Sequence, residues 1–359
     1  MFGTHAVTSD DLLQVTNQTV LTFGEDRVAQ AFAAELAVHN RLVEEMLREL
    51  CSVGAEQLDT YGGGGEIIAI ELDEFSVADA QKPAPPSTNV GFPLGYHGVT
   101  LQWTRLYLMQ ATPAEMARTF QDARTADLKA IQRKIRRALY TPTNNLTYQD
   151  RRMRNKPTLP VRALLNADGG VIPIGPNGET FNGGTHTHYL ATASLAAANV
   201  SALISTVREH GVDGELRLYI NQANEAAIRA MPNFTPYTDR RLTQPNNIVT
   251  ANGVALDTMN VNNRAIGLFD DAEVFVKPWV LANYPIALRA NGTGEKPIRA
   301  RTRTGTLTGL GAFDLRAEDE KYPLRASVMD REIGFGVHNR AAAAVLQTNN
   351  GTYTAPASF

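Results

Sequence analysis

Cysteine is almost missing from this chain. The single Cys51 among 359 residues rules out an intramolecular disulfide framework. No apolar stretch reaches the roughly 18 residues that a bilayer-spanning helix requires. The opening MFGTHAVTSDD has neither the basic nor the apolar region of a secretory signal, so synthesis in the cytoplasm is the expectation. A strong excess of one charge is lacking too. The formal net charge is −3, whereas a surface dedicated to gripping phosphates carries a clear Lys/Arg excess, so any contact with nucleic acid has to be local. Tryptophan occurs only as Trp103 and Trp279, which read as packing or interface anchors.

The usual catalytic signatures are absent as well. Gly62 to Gly65 are followed by a strand-like segment and by no Lys-Ser/Thr, so they read as a hinge and not as a phosphate cradle. Gly334-Phe335-Gly336 lacks the third glycine of a dinucleotide fingerprint, and no Gly-x-Ser-x-Gly elbow or His-Glu-x-x-His occurs. Thr185-His186-Thr187-His188 is the best metal candidate, because residues two apart on a strand share a face. A third ligand is not evident in the sequence, and two polar histidines at a strand end are the plainer reading. Asp270, Asp271 and Glu273 read as a solvated turn, and Cys51, beside Leu50 on an apolar helix face, as a buried inert thiol. No metal, cofactor or catalytic residue is assigned.

What is present is structural patterning. The length exceeds what one core usually organises, so two packed units with extended arms are expected. From Asp26 to Cys51, Val28, Phe32, Leu36, Val43, Met46 and Leu50 recur at helical spacing. Residues Met1 to Gly24 show no such period and read as a largely extended arm. EIIAIELDEF and VTLQWTRLYL, separated by a Pro-rich tip, predict a long projecting hairpin. Thr112-Pro113-Ala114-Glu115 is a capping box, and the stripe Met116, Phe120, Leu128, Ile131, Ile135, Leu139 predicts a spine helix of ~40 Å. Residues 141–185 read as loops and short strands. A helix at roughly Tyr189–His210, the strand ELRLYIN, a short helix at Asn224–Met231, and strands in AEVFVKPW and YPIALRA then predict an α/β or α+β layer, followed from Lys296 by mostly strand.

ELRLYINQANEAAIRAM, LFDDAEVFVKPWVLANYPIALRA and EKYPLRASVMDREIGFGVHNRAAAAVLQTNNGTY resemble the outer and peripheral domains of tailed-phage major capsid proteins of the Hong Kong 97-like fold. The element order fits the resemblance over nearly the whole chain. It implies an α+β fold divided into an N-terminal arm and helix at 1–55, an extended loop at 56–111, a spine helix and peripheral domain at 112–188, an axial domain at 189–290, and return strands with the C-terminus at 291–359. It also implies a non-enzymatic subunit that assembles with itself, as hexamers and pentamers, into the icosahedral head around double-stranded DNA.

On this reading the extended loop lies over a neighbouring subunit, with Glu71, Asp73, Phe75, Lys82, Trp103 and Arg105 at the interface. Arg133, Lys134, Arg137, Arg151, Arg152 and Arg154 either face the genome through salt-sensitive phosphate contacts or form a solvated basic surface. Scaffolding falls to a separate protein or is absent, portal and decoration proteins are further candidate partners, no membrane is involved, and crosslinking of Lys82 to Asn349 or Asn350 lacks an identifiable carboxylate. Two other readings follow from the same residues: an encapsulin-like compartment with protein cargo, and a soluble metal-dependent enzyme using His186 and His188.

Overall fold

Two long amphipathic helices carry the architecture of the computed structural model, which describes residues 8–61, 74, 88–237, 264–292, 296–321 and 324–359. The first, Glu25–Leu50, turns Val28, Ala31, Leu36, Val43, Leu47 and Leu50 inward at three- and four-residue steps. The second, the spine helix Pro113–Tyr140, starts where the sequence places it. Glu115 N–H donates to Thr112 Oγ1 at 3.3 Å while Thr112 N–H donates to Glu115 Oε2 at 2.9 Å, so two otherwise orphaned amides are satisfied reciprocally.

A seven-stranded mixed sheet forms the second half of the molecule, in the spatial order Tyr189–Ala191, Ala343–Gln347, Ile286–Ala290, Glu215–Ile220, Ala272–Val276, Arg264–Phe269 and Phe234–Pro236. Strand alternation distributes its side chains between two cores. Leu216, Leu218 and Ile220 pack under Val200, Leu203, Ile204 and Val207 of the helix Ala197–Arg208. Tyr219, Ile286 and Leu288 face the opposite way, against Leu47, Leu50, Ile135 and Leu139 of the long helices. At about 1.5–3 kcal/mol per fully buried aliphatic side chain, the four helix residues alone supply on the order of 6–12 kcal/mol of gross burial energy.

A three-stranded sheet of Cys51–Gly54, Ile298–Arg301 and Gly334–Val337 continues from the first helix. There the strand containing Gly334 passes so close to the segment before Tyr96 that a Cβ at Gly334 would lie 1.9 Å from the carbonyl oxygen of Pro93. The glycine pair that failed as a nucleotide motif is thus a packing device. A further sheet orders Asp314–Lys321, Leu324–Glu332 and Tyr96–Thr104. Two-stranded pairs join Leu58–Tyr61 to Thr88–Gly91 and Asn145–Gln149 to Thr158–Val161.

Three expectations are corrected. The leading segment is not simply extended: Ser9–Gln14 and Val20–Phe23 are short helices, and Leu12 and Val20 bury against Met116 and Ala117 of the same chain. Thr8 and Asp11 form a capping box there, a local signal that outweighs the missing hydrophobic period. The strand around Trp103 is shorter than expected and gains a distant partner. It runs over Tyr96–Thr104, pairs with Leu324–Glu332 from the far end of the chain, and gives way to a helix at Arg105–Gln110. Its expected partner EIIAIELDEF lies outside the described residues save for Glu74. Finally, Tyr189–Ala191 is a strand pairing parallel with Ala343–Gln347, and the following helix begins only at Ala197. Pairing over such sequence distances overrides local helical propensity.

Candidate functional site

Of the residues expected at a subunit interface, Glu71, Asp73, Phe75 and Lys82 lie outside the described residues. Arg105 opens the helix Arg105–Gln110, and Trp103 packs beside the cluster of Leu12, Val20, Val28, Met116 and Ala117. Between the Glu25–Leu50 helix and the sheet carrying Tyr96–Thr104 runs an apolar groove of about 500 Å³, lined by Phe32, Leu36, Leu101, Trp103, Phe120 and Met329 among others. Phe32 and Phe120 stack at its base with ring centroids 4.2 Å apart. Leu21, Leu42, Leu106 and Met109 are exposed.

The basic residues divide. Arg133 and Arg137 are exposed one turn apart on the spine helix, and the Arg137 guanidinium lies 5.8 Å from the ring of Phe359. Arg151, Arg152 and Arg154 are exposed on the turn between Asn145–Gln149 and Thr158–Val161, with Arg152 5.2 Å over the ring of Tyr96. Lys134 instead turns inward. Its ammonium donates to His97 Nδ1 at 2.7 Å and to the Ile333 carbonyl at 3.0 Å. Burial first, then the charges of Arg331, Arg133 and Arg152 working against that of Asp127, bring its pKa down to about 8. Lys134 is thereby tied into the fold, unlike the exposed arginines around it.

Lys134 belongs to a buried polar hub that sequence reasoning missed. Asp127, with no exposed side-chain surface, accepts from His39 Nε2 at 2.8 Å, His97 Nε2 at 2.7 Å, and Arg331 Nε and a terminal guanidinium nitrogen at 3.2 and 3.0 Å. Arg331 also donates to Asn40 Oδ1 at 2.7 Å and to the Gly311 carbonyl at 3.1 Å. Burial alone would raise the Asp127 pKa. The two histidine hydrogen bonds and the Arg331 charge reverse that and hold it below the ordinary carboxylate value. The signal was present in the sequence: Asp127 sits between Ala123 and Ile131 on the apolar stripe of the spine helix, where a charge needs partners.

The histidine motif gains company in the same way. His186 and His188 meet His210, which follows the helix Ala197–Arg208, and their three Nε2 atoms stand 3.0–3.2 Å apart. Glu209 Oε1 is 3.5 Å from His186 Nε2 and 3.8 Å from His210 Nε2. Burial pulls the pKa of His188 well below its ordinary value and lowers that of His186. That of His210 falls to about 4, through burial and then the neighbouring His186. Asp270 and Asp271 are held locally, Asp270 by Ser201 and Asn233 and Asp271 by Arg208. Burial raises the pKa of the Cys51 thiol, in keeping with an inert role.

No helix among the described residues is long and apolar enough to cross a membrane. No family model and no curated protein matches the chain. Solved structures do. A chain of Mycobacterium phage Patience superposes with a TM-score of 0.65 at 19% identity, covering 99% of this chain and 96% of that one. The capsid of a native GTA particle gives 0.44 at 17% identity, covering 85% and 90%. The SrpI encapsulin of Synechococcus elongatus gives 0.41 at 11% identity, covering 89% and 91%. The chain shares its α+β fold along almost its entire length with the phage Patience chain.

Proposed function

We propose that the chain is the major capsid protein of a tailed double-stranded-DNA bacteriophage, a structural subunit without catalytic activity that tiles into an icosahedral head. The observation carrying this reading is the shared fold with a phage protein over 99% of one chain and 96% of the other. The apolar groove and the exposed Leu21, Leu42, Leu106 and Met109 support it physically, because a second copy of the subunit would remove them from water. Contacts between unlike faces of one subunit type generate rings, and rings that bend relative to one another close a container.

On this reading the segment within 56–111 that carries Glu71, Asp73, Phe75 and Lys82 reaches over the neighbouring subunit in hexamers and pentamers. Arg133, Arg137, Arg151, Arg152 and Arg154 supply phosphate contacts to packaged DNA that carry no base specificity. Scaffolding, portal and decoration proteins are separate partners, and assembly takes place in the host cytoplasm before the protein becomes part of the virion.

Electron microscopy and sedimentation of the recombinant protein, alone and co-expressed with its neighbouring gene products, test the proposal. Capsomer rings or uniform shells are the expected result, and a stable compact monomer under all these conditions overturns it. Nuclease-protected DNA inside particles recovered from infected cells separates a phage head from a compartment that holds protein.

A further inference from the structure

Residues 162–188 contain no helix and no strand beyond an isolated bridge between Asn166 and Thr187. Irregular segments longer than about 12–15 residues are uncommon in compact domains and usually serve a function. At the end of this segment stand His186 and His188, and the chain returns to them at Glu209 and His210, just after the helix Ala197–Arg208.

The three imidazoles meet through the same atom. Their Nε2 atoms form a triangle with edges of 3.2, 3.0 and 3.0 Å. Hydrogen bonding among themselves cannot satisfy all three edges. His188 Nδ1 lies 2.7 Å from the carbonyl oxygen of Ala343 and donates its proton there, so the His188 Nε2 carries a lone pair and can only accept. If His186 and His210 both pointed N–H groups at His188, their shared edge would set two donors face to face; if one of them donated to the other instead, the acceptor's lone pair would face that of His188.

A single cation resolves this. Tetrahedral zinc with bonds of ~2.0–2.1 Å to nitrogen places its ligand atoms about 3.3–3.4 Å apart, a few tenths of an ångström from the present spacing. The Glu209 carboxylate, the most exposed member, offers a fourth and anionic ligand, with all four candidate ligand atoms within 4.8 Å of one another. The surroundings also suit a bound ion. The Ala343 carbonyl fixes the tautomer and orientation of His188. The Phe181 ring packs against the site from the side, with centroids 4.4 Å from that of His210 and 5.0 Å from that of His186.

We propose that His186, His188, Glu209 and His210 bind one zinc-class divalent cation as a structural clip that fastens the end of the 162–188 segment to the end of the helix Ala197–Arg208. Imidazole ligands select a borderline transition metal over calcium or magnesium, which prefer oxygen. Four protein ligands leave no open position for substrate, so the ion is structural. The site is internal to one subunit, and its existence does not depend on the assembly reading.

Full-length protein without an affinity tag is stripped with a chelator, then titrated separately with Zn²⁺ and Co²⁺. One equivalent of zinc per chain by elemental analysis, a tetrahedral Co²⁺ absorption spectrum and a higher unfolding temperature with zinc are expected. Since even outer-sphere partners of a metal are worth roughly 10–100-fold in affinity, Glu209→Gln should weaken zinc binding at least about tenfold, and His186→Gln should abolish stoichiometric binding. Circular dichroism of both variants checks that they fold, and Glu209→Gln, at the most exposed ligand, decides if His186→Gln does not. Substoichiometric zinc in the unaltered protein, or binding unchanged by Glu209→Gln and His186→Gln, overturns the proposal.

Discussion

At the residue scale the fold depends on charges taken out of water and answered there. Asp127 is the anion for two histidines and the buried Arg331, and it joins the Glu25–Leu50 helix, the spine helix and the strands Tyr96–Thr104 and Leu324–Glu332 at one point. Removing one partner of such a group leaves the others buried and uncompensated, which costs about 3–5 kcal/mol. Asp127→Ala should therefore lower the stability of the unassembled subunit by that order in urea unfolding, and a decrease below about 1 kcal/mol would contradict the hub. Asp168 offers a pH test. Burial opposes its ionisation, but hydrogen bonding and charge from Arg340, with hydrogen bonds from Asn144 and the Gly170 amide, bring its pKa down to about 2. A carboxylate depressed in the folded state adds stability above its unfolded pKa of about 3.9, and that stability is lost as pH falls from there through about 2. The urea midpoint of Asp168→Asn should lie below that of the unaltered protein near neutral pH, and the two should converge across that acid window.

At the element scale, local signals placed the helices and distant partners placed the strands. The capping box at Thr112 and Glu115, the apolar stripe from Met116 to Leu139 and that of Val28 to Leu50 are complete within their own segments, so both long helices were legible to within a residue or two. The alternation of Val99, Leu101 and Trp103 announced a strand but could not name its partner, which comes from Leu324–Glu332. Tyr189–Ala191 read as helix because nothing in its own neighbourhood reveals the parallel pairing with Ala343–Gln347. Gly334 is a further element that depends on distance in sequence. A methyl group there would meet the backbone of Pro93 and Gly95, none of which can swing aside as a side chain could. Gly334→Ala should destabilise the subunit by about 1–3 kcal/mol or prevent soluble expression, as denaturant titration and yield would report.

At the scale of the whole molecule, the proposed function rests on surfaces completed by other copies. Replacing residues 66–85 with a short Gly/Ser linker leaves the paired strands Leu58–Tyr61 and Thr88–Gly91 in place. The variant should retain native circular dichroism and fail to form stable shells under microscopy, and unaltered shells would remove the segment from the interface. If the proposed DNA-facing role holds, Arg133→Glu combined with Arg137→Glu should weaken DNA binding by the unassembled protein and reduce the salt slope of that binding by about one for each phosphate no longer neutralised. An unchanged slope would leave those arginines as a solvated helix face.

The candidate sites were legible only in part. His186 and His188 stood out because two residues of one type at strand spacing share a face, but His210 and Glu209 joined them only when the helix between had folded back. By itself the sequence determined the two long helices with the cap that starts the spine, the strand-rich C-terminal third, and the absence of disulfides and of apolar membrane-spanning stretches. These follow from interactions within a few residues or from composition. Tertiary structure alone decided which strands pair, that the leading segment packs on its own subunit, that Lys134 faces inward to an aspartate hub, and that four scattered side chains converge on one point. Each of these is a meeting of groups far apart along the chain, where the gain in burial or electrostatics appears only after loop closure, and no local pattern encodes it.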